Sequence, residues 1–213
     1  MYRSASVIVQ EQPWDIDGPA GILQALYQPA ADPQAALAVI AHPHPLGGGS
    51  MQNKVVSTLM RGYRDLGMHV LRFNFRGVGA SEGQHDHGRG EQEDLDRVVQ
   101  VAQQRLQPSA LYVAGFSFGS YVAAAWASRY ATPVPLLLVA PPVDNYPMKT
   151  LQLPDPTWVI QGDQDELVAV DSVRHWVQHQ PSIRFYRELP GCSHFFHGRL
   201  TELTEILHAA FTV

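Results

Sequence analysis

The chain has 213 residues and a mass of 23.6 kDa, enough for one ordinary core and short for two. Apolar residues make up 45% and charged residues 16%, the proportions of a folded protein rather than a disordered one. Fifteen Lys and Arg against 20 Asp and Glu leave a net charge of −5 with the basic residues scattered, which argues against a nucleic-acid partner.

In chain order, two pieces near the start, Ala5–Gln10 and Gly21–Tyr27, flank the turn-rich stretch Pro13–Pro19 and predict an antiparallel hairpin. Short apolar runs then alternate with stretches of helical period. The runs are Ala36–Ala41, Met68–Phe73, Leu111–Gly115, Pro135–Ala140 and Thr157–Gly162, with a more polar, edge-like run at Ile183–Glu188. Each of the first five is nearly continuous in apolar residues, as in parallel strands covered on both faces. Between them, Lys54–Leu66, Glu91–Arg105, Tyr121–Arg129, Asp171–His179 and Leu200–Phe211 space their apolar residues three and four apart and predict helices. Such alternation is the pattern of an α/β fold. No repeat or linker interrupts it, so one domain over 1–213 is expected.

The lone cysteine, Cys192, can form no internal disulfide and suits a reducing compartment. The first residues lack the apolar core of a signal peptide. The longest apolar run, Pro133–Val143, is too short to cross a bilayer. A cytoplasmic protein with no membrane partner is the expectation.

The sharpest local feature is Gly115-Phe116-Ser117-Phe118-Gly119, set between a buried strand and an apolar helix. In that setting a serine takes a strained conformation and projects its hydroxyl above the sheet. A hydroxyl is a weak nucleophile until a base removes its proton, so a histidine and an acid to orient it must follow. His194 lies on the loop after the last strand and is preferred to His197; His175, His179 and His208 fall in helices. After the strand Thr157–Gly162 come Asp163, Asp165 and Glu166. Asp165 is the favoured acid, with Asp163 second because its place in a tight turn suits a local backbone bond. Glu166 is read as facing solvent.

The order Ser117, Asp165, His194 resembles the α/β-hydrolase superfamily, and within it the small, lidless, esterase-like bacterial members. The likeness runs from about Leu37 to the C-terminus. It implies a mostly parallel twisted sheet with helices on both faces, no cap domain, and a Ser–Asp–His triad at the carboxyl ends of the strands. By position, His44-Pro45-Leu46-Gly47-Gly48 resembles the superfamily's oxyanion loop, which implies a backbone donor at Leu46, with Phe118 as the other. Pro43 and Pro45 cannot donate, so His44 is the second choice for the loop donor. Asn74–Ser81 resembles a structural loop of the family, with Asn74 in place of an acid and no chemistry for Arg76. Phe116, Phe118, Tyr146, Phe195 and Phe196 are candidates for an apolar substrate rim.

Other chemistries fit less well. His42-x-His44 and His85-Asp86-His87 find no further ligand to complete a metal site, and the latter pair sits in a polar loop where solvated histidines are expected. Gly77-x-Gly79 lacks the third glycine of a dinucleotide fingerprint, and Gly47-Gly48-Gly49-Ser50 lacks the lysine of a phosphate loop. No metal or cofactor is expected. The reading is a serine hydrolase for small ester-type substrates, carboxylesterase-like, working through an acyl-enzyme. Thioester, lactone or peptide hydrolysis on the same triad is the alternative within the class. A non-catalytic binding module on the same fold is the alternative outside it.

Overall fold

The computed structural model describes residues 10–211. Its eight strands form one sheet in the order β1-β2-β4-β3-β5-β6-β7-β8. They are β1 (Gln12–Gly18), β2 (Gly21–Gln28), β3 (Leu37–Ala41), β4 (His69–Phe73), β5 (Leu111–Phe116), β6 (Leu136–Val139), β7 (Thr157–Gly162) and β8 (Ile183–Leu189). Pairing is antiparallel from β1 through β2 to β4 and parallel across the rest. The helices are α1 (Lys54–Asp65), α2 (Arg89–Leu106), α3 (Phe118–Ala127), α4 (Val170–Gln178) and α5 (Leu200–Ala210).

Two apolar layers sandwich the sheet, because successive strand residues point to opposite faces. In β3, Leu37, Val39 and Ala41 pack with α2, α3 and α4, while Ala38 and Ile40 pack with α1 and α5. All five are fully buried, which explains why this strand reads as an unbroken apolar run.

The N-terminal hairpin differs from expectation. Its first strand is Gln12–Gly18, inside the stretch read as turn-rich, and Gly18 pairs with Gly21 around a tight connection. Of the predicted strand Ala5–Gln10, residues 5–9 lie outside the described residues. Trp14 and Ile16 alternate inward: Trp14 stacks on Tyr27 with ring centroids 4.6 Å apart, and Ile16 is fully buried. Pro13 is tolerated because β1 is the sheet edge, where an absent N–H breaks no ladder.

The chain order reverses at β3. The element after β3 (α1) lies on one face, and those after β4 and β5 (α2, α3) lie on the other. Such a switch point opens a crevice beyond the carboxyl ends of the strands. The loops after β3, β5, β7 and β8 all end there.

Candidate active site

Ser117 follows β5 directly and has φ 54° and ψ −119°, a left-handed conformation that side chains rarely adopt. The glycines beside it are a packing requirement. A Cβ on Gly115 would stand 2.2 Å from the Gly119 carbonyl oxygen, and one on Gly119 would stand 2.3 Å from that of Ala41. The turn is further tied down by Ser120, whose buried hydroxyl lies 2.7 Å from the Gly115 carbonyl and 2.8 Å from that of Val139.

Three of the predicted residues meet. Ser117 Oγ is 2.9 Å from His194 Nε2, and His194 Nδ1 is 2.8 Å from Asp165 Oδ2. With Nδ1–H donated to the carboxylate, Nε2 keeps its lone pair for the serine proton. Asp165 Oδ1 accepts the Leu167 and Val168 N–H groups at 2.9 and 2.8 Å. Burial pushes the Asp165 carboxyl upward, but His194 and these two N–H groups outweigh it and hold the group below the usual carboxylate range.

The competing acids have other partners. Asp163 Oδ1 accepts the Gly191 N–H at 2.6 Å, stitching the β7 loop to the β8 loop rather than making a local turn bond. Glu166 is exposed, as read, yet its Oε2 also accepts the His194 backbone N–H at 3.0 Å. Gln161, at the end of β7, was not singled out by the sequence. Its Nε2 donates to Asp165 Oδ2 at 2.8 Å, sharing that oxygen with His194. In the sequence its only trace is a glutamine that closes the strand just before the acid loop. His197 stands away from the serine and stacks on Phe195, with centroids 5.9 Å apart.

Around the nucleophile, the Phe118 N–H opens α3, where a helix leaves its first amides without intrahelical partners. The Leu46 N–H is already donated to His44 Nδ1 at 3.2 Å, and Leu46 is 75% exposed. His44 itself sits where the loop passes Ser117's neighbour, its ring 5.0 Å from that of Phe118. Among the described residues no acceptor takes the His44 N–H. Burial, with His85 and His87 acting against Glu91, keeps the His44 imidazole below the ordinary histidine range. His85 is a correction to the sequence reading. Rather than solvated, its side chain is 8% exposed, with Nδ1 2.6 Å from the buried Glu91 and its ring 5.5 Å from Phe118.

The aromatic rim is also narrower than read. Phe116, Phe118 and Phe196 are buried, because β5 and the packed turn after His194 direct them into the layers. Phe116 lies behind His194, centroids 5.3 Å apart, and supports the imidazole instead of lining a cleft. Tyr146, stacked on Tyr121 at 4.4 Å, and Phe195, edge-on to His194 at 5.2 Å, keep exposed surface. Arg76 is structural: it is paired with the fully buried Asp94 at 2.8 Å, while Asn74 accepts the Met51 N–H. No group of three or more His, Cys, Asp or Glu among the described residues could hold a metal ion. No helix among them is long and apolar enough to cross a membrane.

A serine on a strained strand-to-helix turn, with a histidine and an aspartate at the carboxyl ends of a mostly parallel sheet, defines the class of α/β serine hydrolases. Residues 43–150 match the family model for the alpha/beta hydrolase fold, and the chain belongs to that family. It is 36% identical over 203 residues to uncharacterized protein RP471 of Rickettsia prowazekii (strain Madrid E), covering 90% of this chain and 85% of that one. XC6422 from Xanthomonas campestris, described as an a/b serine hydrolase without lid, is 37% identical with a TM-score of 0.88, covering 94% of this chain and 93% of its own. An alpha-beta serine hydrolase homologue from Coxiella burnetii is 40% identical with a TM-score of 0.87, covering 95% and 98%.

Proposed function

We propose that the protein hydrolyses small carboxylic esters through an acyl-enzyme, with Ser117 as nucleophile, His194 as base and Asp165 as the residue that fixes the imidazole. The observation that carries this reading is the continuous chain from Ser117 Oγ through His194 to Asp165, at 2.9 and 2.8 Å. Ser117 Oγ bonds to the acyl carbon while its proton passes to His194 Nε2. His194 then gives that proton to the leaving oxygen as the acyl–oxygen bond breaks, and water repeats the sequence to free the acid.

The developing oxyanion faces the Phe118 N–H and the His44 N–H, the second because the Leu46 N–H is already engaged. Neither step calls for a metal or cofactor. The free, buried Cys192 suits a cytoplasmic enzyme acting on a small molecule. Labelling by a fluorophosphonate probe tests the assignment. Wild type should label and Ser117→Ala should not, with p-nitrophenyl acetate hydrolysis falling by several orders of magnitude in the variant. Equal labelling of Ser117→Ala would overturn it.

A further inference from the structure

A cavity of about 340 Å³ is lined among others by Gly48, Ser50, Gln52, Lys54, Phe195 and His197; no triad residue lines it, and Phe195, in ring contact with His194, links it to the site. One wall is the loop that leaves the oxyanion residues, and the other is the turn that begins at His194. A roomier cavity of about 540 Å³ lies between α2 and α3, and none of its lining residues adjoins a triad residue in the chain. The smaller one is placed to receive part of the substrate.

Chemistry decides which part. The carbonyl oxygen must face the Phe118 amide, and the leaving oxygen must lie within reach of His194, which protonates it. Phe195 follows His194 in the chain and holds its ring edge-on to the imidazole, 5.2 Å away. His197, stacked on Phe195, lines the same cavity. A leaving group on the Phe195 side of His194 would run along that ring into the cavity, with the acyl group on the other side.

The lining gives that portion its character. Phe195, 39% exposed, offers an apolar face. Ser50 Oγ accepts the Gln52 N–H, so its own proton remains to be donated. Lys54 projects from the start of α1, where the Asn53 side chain already accepts the Val55 N–H. Among the described residues Lys54 pairs with no carboxylate, and none lines the cavity. In a protein of net charge −5, this is an exposed cation on the same cavity as Phe195, the residue next to His194.

We propose that this cavity is the leaving-group subsite and that Lys54 biases the enzyme toward esters whose alcohol or phenol portion carries an anionic group. The inference rests on the ester-hydrolase reading above. It is tested with 4-acetoxybenzoate and its neutral counterpart 4-acetoxybenzamide, which share the acetyl group and differ in the charge of the leaving phenol. The readout is the ratio of their kcat/KM values, compared between variants so that intrinsic reactivities cancel.

Lys54→Gln should lower the ratio roughly two- to fivefold at low salt, the scale of an exposed charge pair, and Lys54→Glu should lower it further. An acid in the first turn of a helix is favourable, so the Glu variant keeps α1 intact. Raising the salt to about 0.5 M should shrink the wild-type preference toward that of Lys54→Gln, since screening acts within a few ångströms there. Arg105→Gln, the same charge change at the exposed end of α2 in the opposite layer, should leave the ratio where it was. An unchanged ratio in both Lys54 variants, with turnover intact, overturns the subsite alone. Turnover of neither ester by wild type above the Ser117→Ala background overturns the hydrolase reading, and this inference with it.

Discussion

At Asp165 the two carboxylate oxygens are used differently. Oδ1 takes two backbone amides, whereas Oδ2 takes His194 and the Gln161 side chain. Asp165→Asn should cost on the order of 10⁴ in turnover by favouring the wrong imidazole tautomer, as in serine triads generally. Asp163→Asn, which disturbs only a loop contact, should be far milder. Gln161→Leu separates positioning from packing. A bond to a charged group is worth about 1.5–3 kcal/mol, and part is recovered by relaxation, so kcat should fall about tenfold. With one donor gone, the carboxylate holds its charge more tightly against the imidazole and stabilises the imidazolium. The acid limb of the kcat/KM profile should therefore move to higher pH. A Gln161→Leu enzyme of lowered stability but unmoved limb would show that the glutamine only fills space. That Ser117, Asp165 and His194 come together was legible because their order and their position at strand ends are distinctive. Gln161 was not, since a buried glutamine closing a strand looks like any satisfied polar group. The amide donor proposed for the loop was not either, because every residue except proline carries an N–H and only the local bond from Leu46 to His44 separates the choices.

Among elements, the strands and helices buried on a full face were readable to within a few residues, because their period is imposed by the layers they fill. β1 was not, since two inward residues, Trp14 and Ile16, had to be picked out from Pro, Asp and Gly that usually mark turns. The joint between β3 and β4 was equally silent. His42, fully buried just past β3, donates from Nδ1 to the Pro43 carbonyl at 2.6 Å and accepts the Phe75 N–H at Nε2, 3.1 Å away. It clamps the ends of the two strands, and a proton on Nε2 would point at an N–H donor. Burial accordingly lowers its pKa from 6.5 to about 4. Between those values the unfolded chain binds the proton and the folded one does not, so stability falls as pH drops from about 6.5 toward 4. The residue's share of the slope approaches one proton, or about 1.4 kcal/mol per pH unit. Urea unfolding of wild type and His42→Gln across that window should give curves that converge on acidification. Parallel curves would assign the acid sensitivity to another group.

For the whole molecule, the decisive segment is what joins β6 to β7. Pro141–Pro156 carries five prolines, and its only regular structure is the single 3₁₀ turn Met148–Thr150. Proline lacks the amide a helix needs and restricts the residue before it, so no helical cap can form from this length of chain. The crevice above Ser117 is left open, and of the five aromatics read as its rim only Tyr146 and Phe195 keep exposed surface, since Phe116, Phe118 and Phe196 are buried. Each methylene of an acyl chain is worth about 0.8 kcal/mol when fully buried, and much less when one side stays in water. In a series of p-nitrophenyl esters, kcat/KM should therefore rise over the first few carbons and then level off, so that long chains gain nothing over short ones. With no lid to displace, the rate should pass through the critical micelle concentration of the substrate without a jump. A steady rise through long-chain esters, or a burst of activity at the micellar threshold, would mean that the long acyl chain finds an apolar cover this fold does not supply.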